Sequence, residues 1–254
     1  LTVPTNLRRF PILSVPGSTN TYSNTMTVTF TTDVYCHTLN LRFGGTLLMN
    51  NGTEGNFYIR DSLRVGGIGT DNEGRIIFQN NGNPRSITIG KDLSFDTDGS
   101  TYTNNQIYVQ TGGTSNLSHQ LNVYGNIYLR DANSLLDLFN ANDGLQSNVV
   151  LNLMGDQSKD FVSNASTVPQ LYRIVMNKTG AGLIGFNFLS PVTINGPTNT
   201  SSKAIELISG RLGLRNSAID VTLTSGGGDF RIPAESQLWL GSGATARVTG
   251  NNVG

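Results

Sequence analysis

Three nine-residue segments of the chain share one pattern of hydrophobic and polar positions. They are FYIRDSLRV at 57–65, ITIGKDLSF at 87–95 and LNVYGNIYL at 121–129, at intervals of about 30 residues. In each segment apolar and polar residues alternate, a turn-forming step such as Gly90-Lys91-Asp92 intervenes, and the alternation resumes. Because alternation with a period of two places side chains on opposite faces of a strand, each segment predicts two three-residue strands separated by a tight corner.

The repeated segments also align residue by residue. The aligned apolar positions include Phe57, Ile87 and Leu121 before the corner, and Leu63, Leu93 and Ile127 after it. A further apolar alternation follows each segment, at 75–79, 106–110 and, less regularly, 149–153. Three strands per unit of about 30 residues are typical of a solenoid, in which each coil covers the apolar face of the previous one. We therefore predict an all-β fold, a right-handed parallel β-helix with three short strands per coil.

In the rest of the chain the alternation of apolar and polar residues continues, with interruptions. Alternation between glycine corners continues at 172–180, 190–198, 203–223 and 230–250. The interval 131–170 breaks the pattern and is predicted to hold irregular insertions, either longer loops or a short helix. Nothing resembles an interdomain linker, so residues 1–254 are predicted to form a single β-helix domain, with 1–25 as a candidate cap or lead-in. The last residues read as another coil and leave a sheet edge open, so we expect this chain to be part of a longer one.

Composition favours strands and argues against two classes of function. Only 13% of the 254 residues are charged and 30 are glycine, whereas exposed helices use more Glu, Lys, Ala and Arg. A formal net charge of zero supplies no basic surface for nucleic acid. No apolar run is long enough to predict a membrane span. The single cysteine, Cys36, excludes an intrachain disulfide and is predicted to be a small buried side chain.

Few side chains carry a recognisable chemical motif. Asp96 and Asp98, in the segment FDTDGS, form a D-x-D-G fragment that lacks the distal Glu of a full calcium loop. They are the candidate ligands for a structural calcium ion. His37 and His119 have no carboxylate or cysteine motif near them and are predicted to be solvated. Because no nucleophile, zinc or phosphate-binding motif is present, we predict no catalytic residue and no other cofactor.

Aromatic residues could form a platform for carbohydrate if they stacked from coil to coil. Those on predicted outer positions are Tyr58, Tyr108, Tyr124, Tyr128 and Trp239. The repeat aligns Tyr58 with Thr88 and Asn122, and it aligns Tyr128 with Arg64 and Ser94. Since the aligned positions are not aromatic, the sequence predicts no linear platform for a glycan chain.

Three phrases in the second half resemble a known family. They are Asn177-Lys178-Thr179-Gly180, Val192-Thr193-Ile194-Asn195-Gly196 and Ser209-Gly210-Arg211-Leu212-Gly213-Leu214. They are similar to strand and turn phrases in the repetitive surface proteins of Bacteroidetes-type bacteria, closely over about 170–250 and in general style over 38–130. The resemblance implies a large secreted or cell-surface β-helical protein, exported by type IX secretion, that serves as an adhesin, gliding-type filament or stalk. The partners it implies are other segments of the same chain, surface proteins or surface glycans.

One triplet of residues is a candidate site of O-glycosylation. Asp61-Ser62-Leu63 matches the O-glycosylation triplet of that bacterial group, in which Asp and Ser or Thr precede an apolar residue. Leu63 is predicted to point inward at the corner, which leaves Ser62 facing outward. The resemblance therefore implies an O-glycan on Ser62, and the alternative is an ordinary Asp-Ser turn.

The sequence thus predicts a structural or adhesive scaffold of a secreted or cell-surface bacterial protein, and not an enzyme. The alternative is a β-helical glycan-active enzyme, either a polysaccharide lyase or a tailspike-like depolymerase. Acidic residues with Lys or Arg on one exposed sheet, together with bound Ca²⁺, would favour it. A third hypothesis is a glycan- or host-surface-binding module whose ligand lies on 131–170.

Overall fold

The computed structural model consists of strands joined by turns and short loops. The described residues, which contain no helix, are 9–16, 32–42, 44–49, 55–66, 73–96, 104–113, 115–141, 145–180, 184–197, 204–224 and 230–249. In chain order the strands are β1 (Arg9–Pro16), β2 (Val34–Arg42), β3 (Gly45–Met49), β4 (Phe57–Ile59), β5 (Leu63–Val65), β6 (Gly74–Phe78), β7 (Ser86–Ile89), β8 (Leu93–Phe95), β9 (Gln106–Val109), β10 (Ser118–Val123), β11 (Ile127–Leu129), β12 (Leu135–Asp137), β13 (Asn148–Gly155), β14 (Lys159–Ser163), β15 (Gln170–Leu171), β16 (Arg173–Lys178), β17 (Gly185–Phe188), β18 (Thr193–Ile194), β19 (Ile205–Leu214), β20 (Asp220–Thr224), β21 (Ser236–Leu240) and β22 (Thr245–Thr249).

The strands pair in parallel, and the alignment predicted from the three repeated segments is confirmed. The register pairs Phe57 with Ile87 and Ile87 with Leu121 before the corner, and Leu63 with Leu93 and Leu93 with Ile127 after it. Each partner lies about 30 residues further along the chain. Sheet neighbours are therefore equivalent strands of successive repeats, and each repeat supplies the backbone hydrogen bonds that the next one needs.

The all-β, parallel architecture is confirmed, but the sheet topology is not obviously that of the predicted solenoid with three strands per coil. Twelve strands form a closed ring in the order β2-β4-β7-β10-β13-β16-β19-β17-β14-β11-β8-β5, with β5 returning to β2. The ring closes because two long strands, β2 and β19, continue through the corner. In the other repeats a turn at this corner separates two short strands. In β2, residues 34–36 pair with β4 and 39–41 pair with β5. In β19, 205–209 pair with β16 and 211–214 pair with β17.

A second sheet closes the remaining side of the core. Its six strands follow the order β18-β15-β12-β9-β6-β3, and β20 pairs with β22 separately. Leu47, Ile76, Ile107 and Leu136 are in register along this sheet, and all four are buried. Burying one such side chain contributes about 1.5–3 kcal/mol. The inner positions of every repeat join one continuous apolar cluster, so each layer is sheltered only when its neighbours are in place.

Glycine at the corner lets successive repeats approach closely. The Gly90 N–H donates a hydrogen bond to the Ile59 carbonyl at 2.7 Å. A Cβ at Gly90 would overlap the Arg60 carbonyl oxygen, and one at Gly125 would overlap the Lys91 carbonyl group. Both glycines are therefore required by the distance between layers, not only by the turn itself.

Polar side chains also bond from one repeat to the next. On the outer face, Asn152 Nδ2 donates to Asn122 Oδ1 at 2.7 Å, and Asn122 Nδ2 donates to Thr88 Oγ1 at 3.0 Å. Amide and hydroxyl side chains of successive repeats therefore form a hydrogen-bonded row on a strand face. The corner residue Asn80 is instead buried and accepts hydrogen bonds from the Ser147 N–H and hydroxyl.

The prediction that His119 is solvated is wrong, whereas Cys36 is buried as predicted. His119 Nδ1 accepts a hydrogen bond from the Arg85 N–H at 3.0 Å, so Nε2 carries the proton and donates to the Gln79 carbonyl at 2.9 Å. Burial lowers the pKa of His119 to about 4, which keeps the ring neutral in the core. Burial likewise raises the pKa of the Cys36 thiol to about 11. His37 is exposed, as predicted.

The interval 131–170, predicted to hold irregular insertions, is part of the sheets. It contains β12, β13 and β14 and the start of β15, all of which pair in parallel with equivalent strands. The sequence did not reveal β12 because this strand has three residues and only one of them, Leu136, faces the core. Of the candidate cap at 1–25, the described residues 9–16 form β1, which pairs in parallel with β2.

Lys178 is the most unusual charged residue of the core. It ends β16, its side chain is buried, and its Nζ has no hydrogen-bond partner among the described residues. The ammonium group lies 5.8 Å from the centre of the Phe186 ring. Burial, with a smaller contribution from Lys159, lowers the pKa of Lys178 to about 8, and Asp156 opposes the shift.

We predict that Lys178→Met stabilises the protein, and that the gain declines above pH 8. The folded chain releases the Lys178 proton near pH 8 and the unfolded chain near 10.5, so unfolding takes up a proton between these values and wild-type stability rises with pH. The variant avoids that cost and should be more stable at pH 7 by about 1–3 kcal/mol.

Urea unfolding of both proteins at pH 7, 8, 9 and 10 measures the difference. Lys91→Met is the control, because the Lys91 ammonium is exposed and paired with Asp61, and its effect on stability should not change in this way. A Lys178→Met protein that is less stable than wild type at pH 7 would contradict the prediction.

Candidate functional site

A depression lies on the outer face of β5, β8 and β11, with a small residue at its centre. The register places Arg64, Ser94 and Tyr128 side by side in one row across the three strands. Neighbouring strands are about 4.8 Å apart, so the backbones of Arg64 and Tyr128 are separated by about 10 Å. Between two long side chains, the short Ser94 forms the floor of a hollow.

The rows on either side supply its walls. Ser62 and Asp92 line it just before the strands begin, and Asp96 and Arg130 line it just after they end. The cavity has a volume of about 300 Å³. We refer to this cavity as the Ser94 depression.

Two contacts fix the wall residues. Asp92 Oδ1 accepts hydrogen bonds from the Asn126 N–H at 2.7 Å and from Asn126 Nδ2 at 3.1 Å. The Arg130 guanidinium carbon lies 5.0 Å from the centre of the Tyr128 ring. Burial, and after it the Asp92 carboxylate, raises the pKa of Tyr128, so its hydroxyl stays protonated and can donate.

Several polar groups of the depression remain free to bind a ligand. Within the described residues, neither Arg64 nor Arg130 has an ion-pair partner. The Ser94 hydroxyl and the Asp96 carboxylate likewise form no hydrogen bond with any part of the chain that the structure describes. The depression therefore combines two guanidinium groups with one carboxylate, that of Asp96, which the fold does not use, whereas the Asp92 carboxylate already accepts hydrogen bonds from Asn126.

The structure brings together two of the three residues predicted as site residues. Ser62 and Asp96 line the same depression, and Ser62 is half-buried with its carbonyl accepting the Leu39 N–H at 3.2 Å. The preceding Asp61 bonds to Lys91 at 2.9 Å, which lowers the pKa of Asp61. Asp98 lies outside the described residues.

The calcium hypothesis stays a prediction. In the described part of the chain, no group of three His, Cys, Asp or Glu side chains could hold a metal ion. Asp96 is held by its backbone, with its N–H donating to the Val65 carbonyl at 3.0 Å and its carbonyl accepting from Asn105 Nδ2 at 2.7 Å. Its carboxylate is thus positioned at the rim, with Asp98 as its predicted co-ligand.

The predicted rows of outer residues are confirmed, but two aromatic contacts were missed. Tyr58 is in register with Thr88, as expected, yet on its other side it stacks on Tyr35 with ring centres 4.8 Å apart. The alternation of VYCHTLNL at 34–41 was the signal for this partner, since it continues the repeat upstream. The Trp239 ring lies under the guanidinium groups of Arg211 and Arg215, whose central carbons are 4.7 and 4.8 Å from the ring centre.

Comparisons with known proteins add no identification. No protein-family model, no curated protein and no solved structure matches the chain. The described residues also include no helix with the length and hydropathy needed to cross a membrane.

We predict that Asp92→Ala destabilises the protein by about 1–3 kcal/mol, because it leaves the Asn126 N–H without its acceptor at a half-buried corner. Asp96→Ala is the matched control on the same strand, since its carboxylate bonds to no described residue, and its effect should stay below about 0.5 kcal/mol. Urea unfolding of both variants measures the two values. Equal losses in the two variants would contradict the role assigned to Asp92.

Proposed function

We propose that this chain is a segment of a right-handed parallel β-helix that serves as a structural or adhesive scaffold of a secreted or cell-surface bacterial protein. The observation that carries the proposal is the parallel register between repeats. Through the described strands it runs from β1 and β2 to β19 and β21, with a shift between Met176 and Asn177. Such a stack is stiff, since every inner layer is bonded on both sides.

The twelve-strand ring is compatible with this architecture. Because β2 and β19 run through the corner, each belongs to two sheets, and the hydrogen-bonded path closes through them. One coil then consists of β4, β5 and β6, and the next consists of β7, β8 and β9. The right-handed sense follows from the strong preference of parallel crossover connections for that hand.

The outer surface supports a scaffold role. The strand faces carry Thr, Asn and Gln side chains that bond between repeats, as at Thr88, Asn122 and Asn152. A surface whose polar groups bond to one another resists local opening, and it offers few charges for nonspecific binding. The bacterial group, type IX export and the O-glycan on Ser62 belong to the proposal through the family resemblance alone.

The alternative of a glycan-active enzyme is favoured by one feature. The Ser94 depression places Asp92 and Asp96 beside arginines on one exposed sheet. These aspartates are four residues apart along an extended strand, which separates their Cα atoms by about 13 Å. Glycosidases need two carboxyl groups that both act on the glycosidic bond. The Asp92 carboxylate is instead held at the corner by two hydrogen bonds from Asn126, so binding without cleavage fits this pair better.

The proposal predicts where the protein is found. Antibodies against this chain should label intact cells of the producing bacterium, and external protease should remove the label. Labelling that appears only after the cells are permeabilised would contradict a surface scaffold. On the same material, mass spectrometry of the peptide containing Ser62 should detect an added glycan; an unmodified Ser62 would overturn the glycosylation part alone.

A further inference from the structure

We propose that the Ser94 depression binds a saccharide that carries a carboxylate group, and that it does so without cleaving it. Three features of the depression support this ligand, which is separate from the scaffold role. They are the Arg64, Arg130 and Asp96 groups that the fold leaves unpaired, their arrangement around the small Ser94, and the size of the cavity.

The donors and acceptors of the depression define the ligand. Arg64 and Arg130 offer only donors and positive charge, which a carboxylate satisfies best through paired hydrogen bonds. Asp96 offers only acceptors, which need hydroxyl donors from the ligand, and Asp92 adds acceptor capacity beyond the Oδ1 atom that Asn126 occupies. A molecule that presents both an anionic group and several hydroxyls on one small frame meets both requirements, and an acidic sugar is such a molecule.

Simpler ligands meet only half of these requirements. A neutral sugar would supply hydroxyl groups to the aspartates but would leave the guanidinium groups without an anion. A small inorganic or organic anion would pair with the arginines but would bring negative charge towards the carboxylates without donating to them. The charge pattern of the site is therefore specific for the combination.

Shape and rigidity agree with a small ligand. A cavity of about 300 Å³ is at the lower limit of small-molecule sites, which suits one or two sugar rings. Asp92 is held by Asn126, and Arg130 is held on the Tyr128 ring, so part of the site is ordered before the ligand arrives. Ordering of this kind reduces the entropy lost on binding.

The test compares three probes on the 254-residue chain produced in a host without O-glycosylation. They are methyl β-D-glucuronide, its neutral counterpart methyl β-D-glucoside, and sodium acetate as a carboxylate without a sugar ring. An NMR titration measures each dissociation constant. We expect a value of about 1 mM for the glucuronide and binding at least tenfold weaker for the other two.

Each other outcome overturns the proposal. Equal binding of the glucoside would remove the role of the arginines, equal binding of acetate would leave a simple anion site, and no binding of the glucuronide would leave no site.

Variants locate the binding. Ser94→Tyr should fill the floor and abolish glucuronide binding, and circular dichroism checks that the variant keeps its strands, since Ser94 is buried. Arg64→Gln keeps the cavity open and should weaken glucuronide binding about tenfold while leaving the weak glucoside binding unchanged. Arg60→Gln, an exposed arginine that does not line the depression, is the control and should bind as wild type. Unchanged glucuronide binding in Arg64→Gln would place the ligand elsewhere and overturn the assignment.

Discussion

The structure depends on one interaction: the parallel backbone hydrogen bonding between segments about 30 residues apart. The short strands of a single repeat cannot cover their own apolar side chains, and their backbone groups would remain unpaired. Stacking solves both problems together, because the layer that supplies hydrogen bonds also covers the inner side chains. The requirement for close layers then dictates the corners, where Gly90 and Gly125 allow one backbone to lie against the next.

The same register determines the outer surface. Outward residues of successive repeats become neighbours, so each row across the sheet contains one residue from each repeat. Thr88, Asn122 and Asn152 form a polar ladder in one such row. In the row of Arg64, Ser94 and Tyr128, a small residue between two large ones produces a depression instead. A site in this fold therefore arises from differences between repeats.

Much of the fold was predictable because period-two alternation fixes which residues face inward, and three aligned segments fix the register. Closure of the ring was not, since β19 carries the turn-like Ser209-Gly210 at the corner and nevertheless continues as one strand. His119 was misjudged because a buried histidine needs partners from other repeats, here Arg85 and Gln79, which sequence spacing does not reveal.

The candidate site was predictable only in its parts. Ser62 and Asp96 were identified for separate reasons, a modification triplet and a calcium-like fragment, and the alignment already placed Arg64, Ser94 and Tyr128 in one row. The sequence could not show that this row forms a cavity, or that Arg64 and Arg130 remain without an ion-pair partner there among the described residues.

The most direct test of the register is a disulfide trap between neighbouring repeats. In a Cys36→Ser background, Thr88→Cys with Asn122→Cys places two outward thiols on directly opposed residues, whose Cα atoms lie about 5 Å apart, within the range of a disulfide. Thr88→Cys with Ser118→Cys is the control, offset by four residues or about 13 Å along the same face. The account predicts rapid oxidation of the first pair and none of the second. Preferential oxidation of the second pair, or of neither, would contradict a parallel stack in this register.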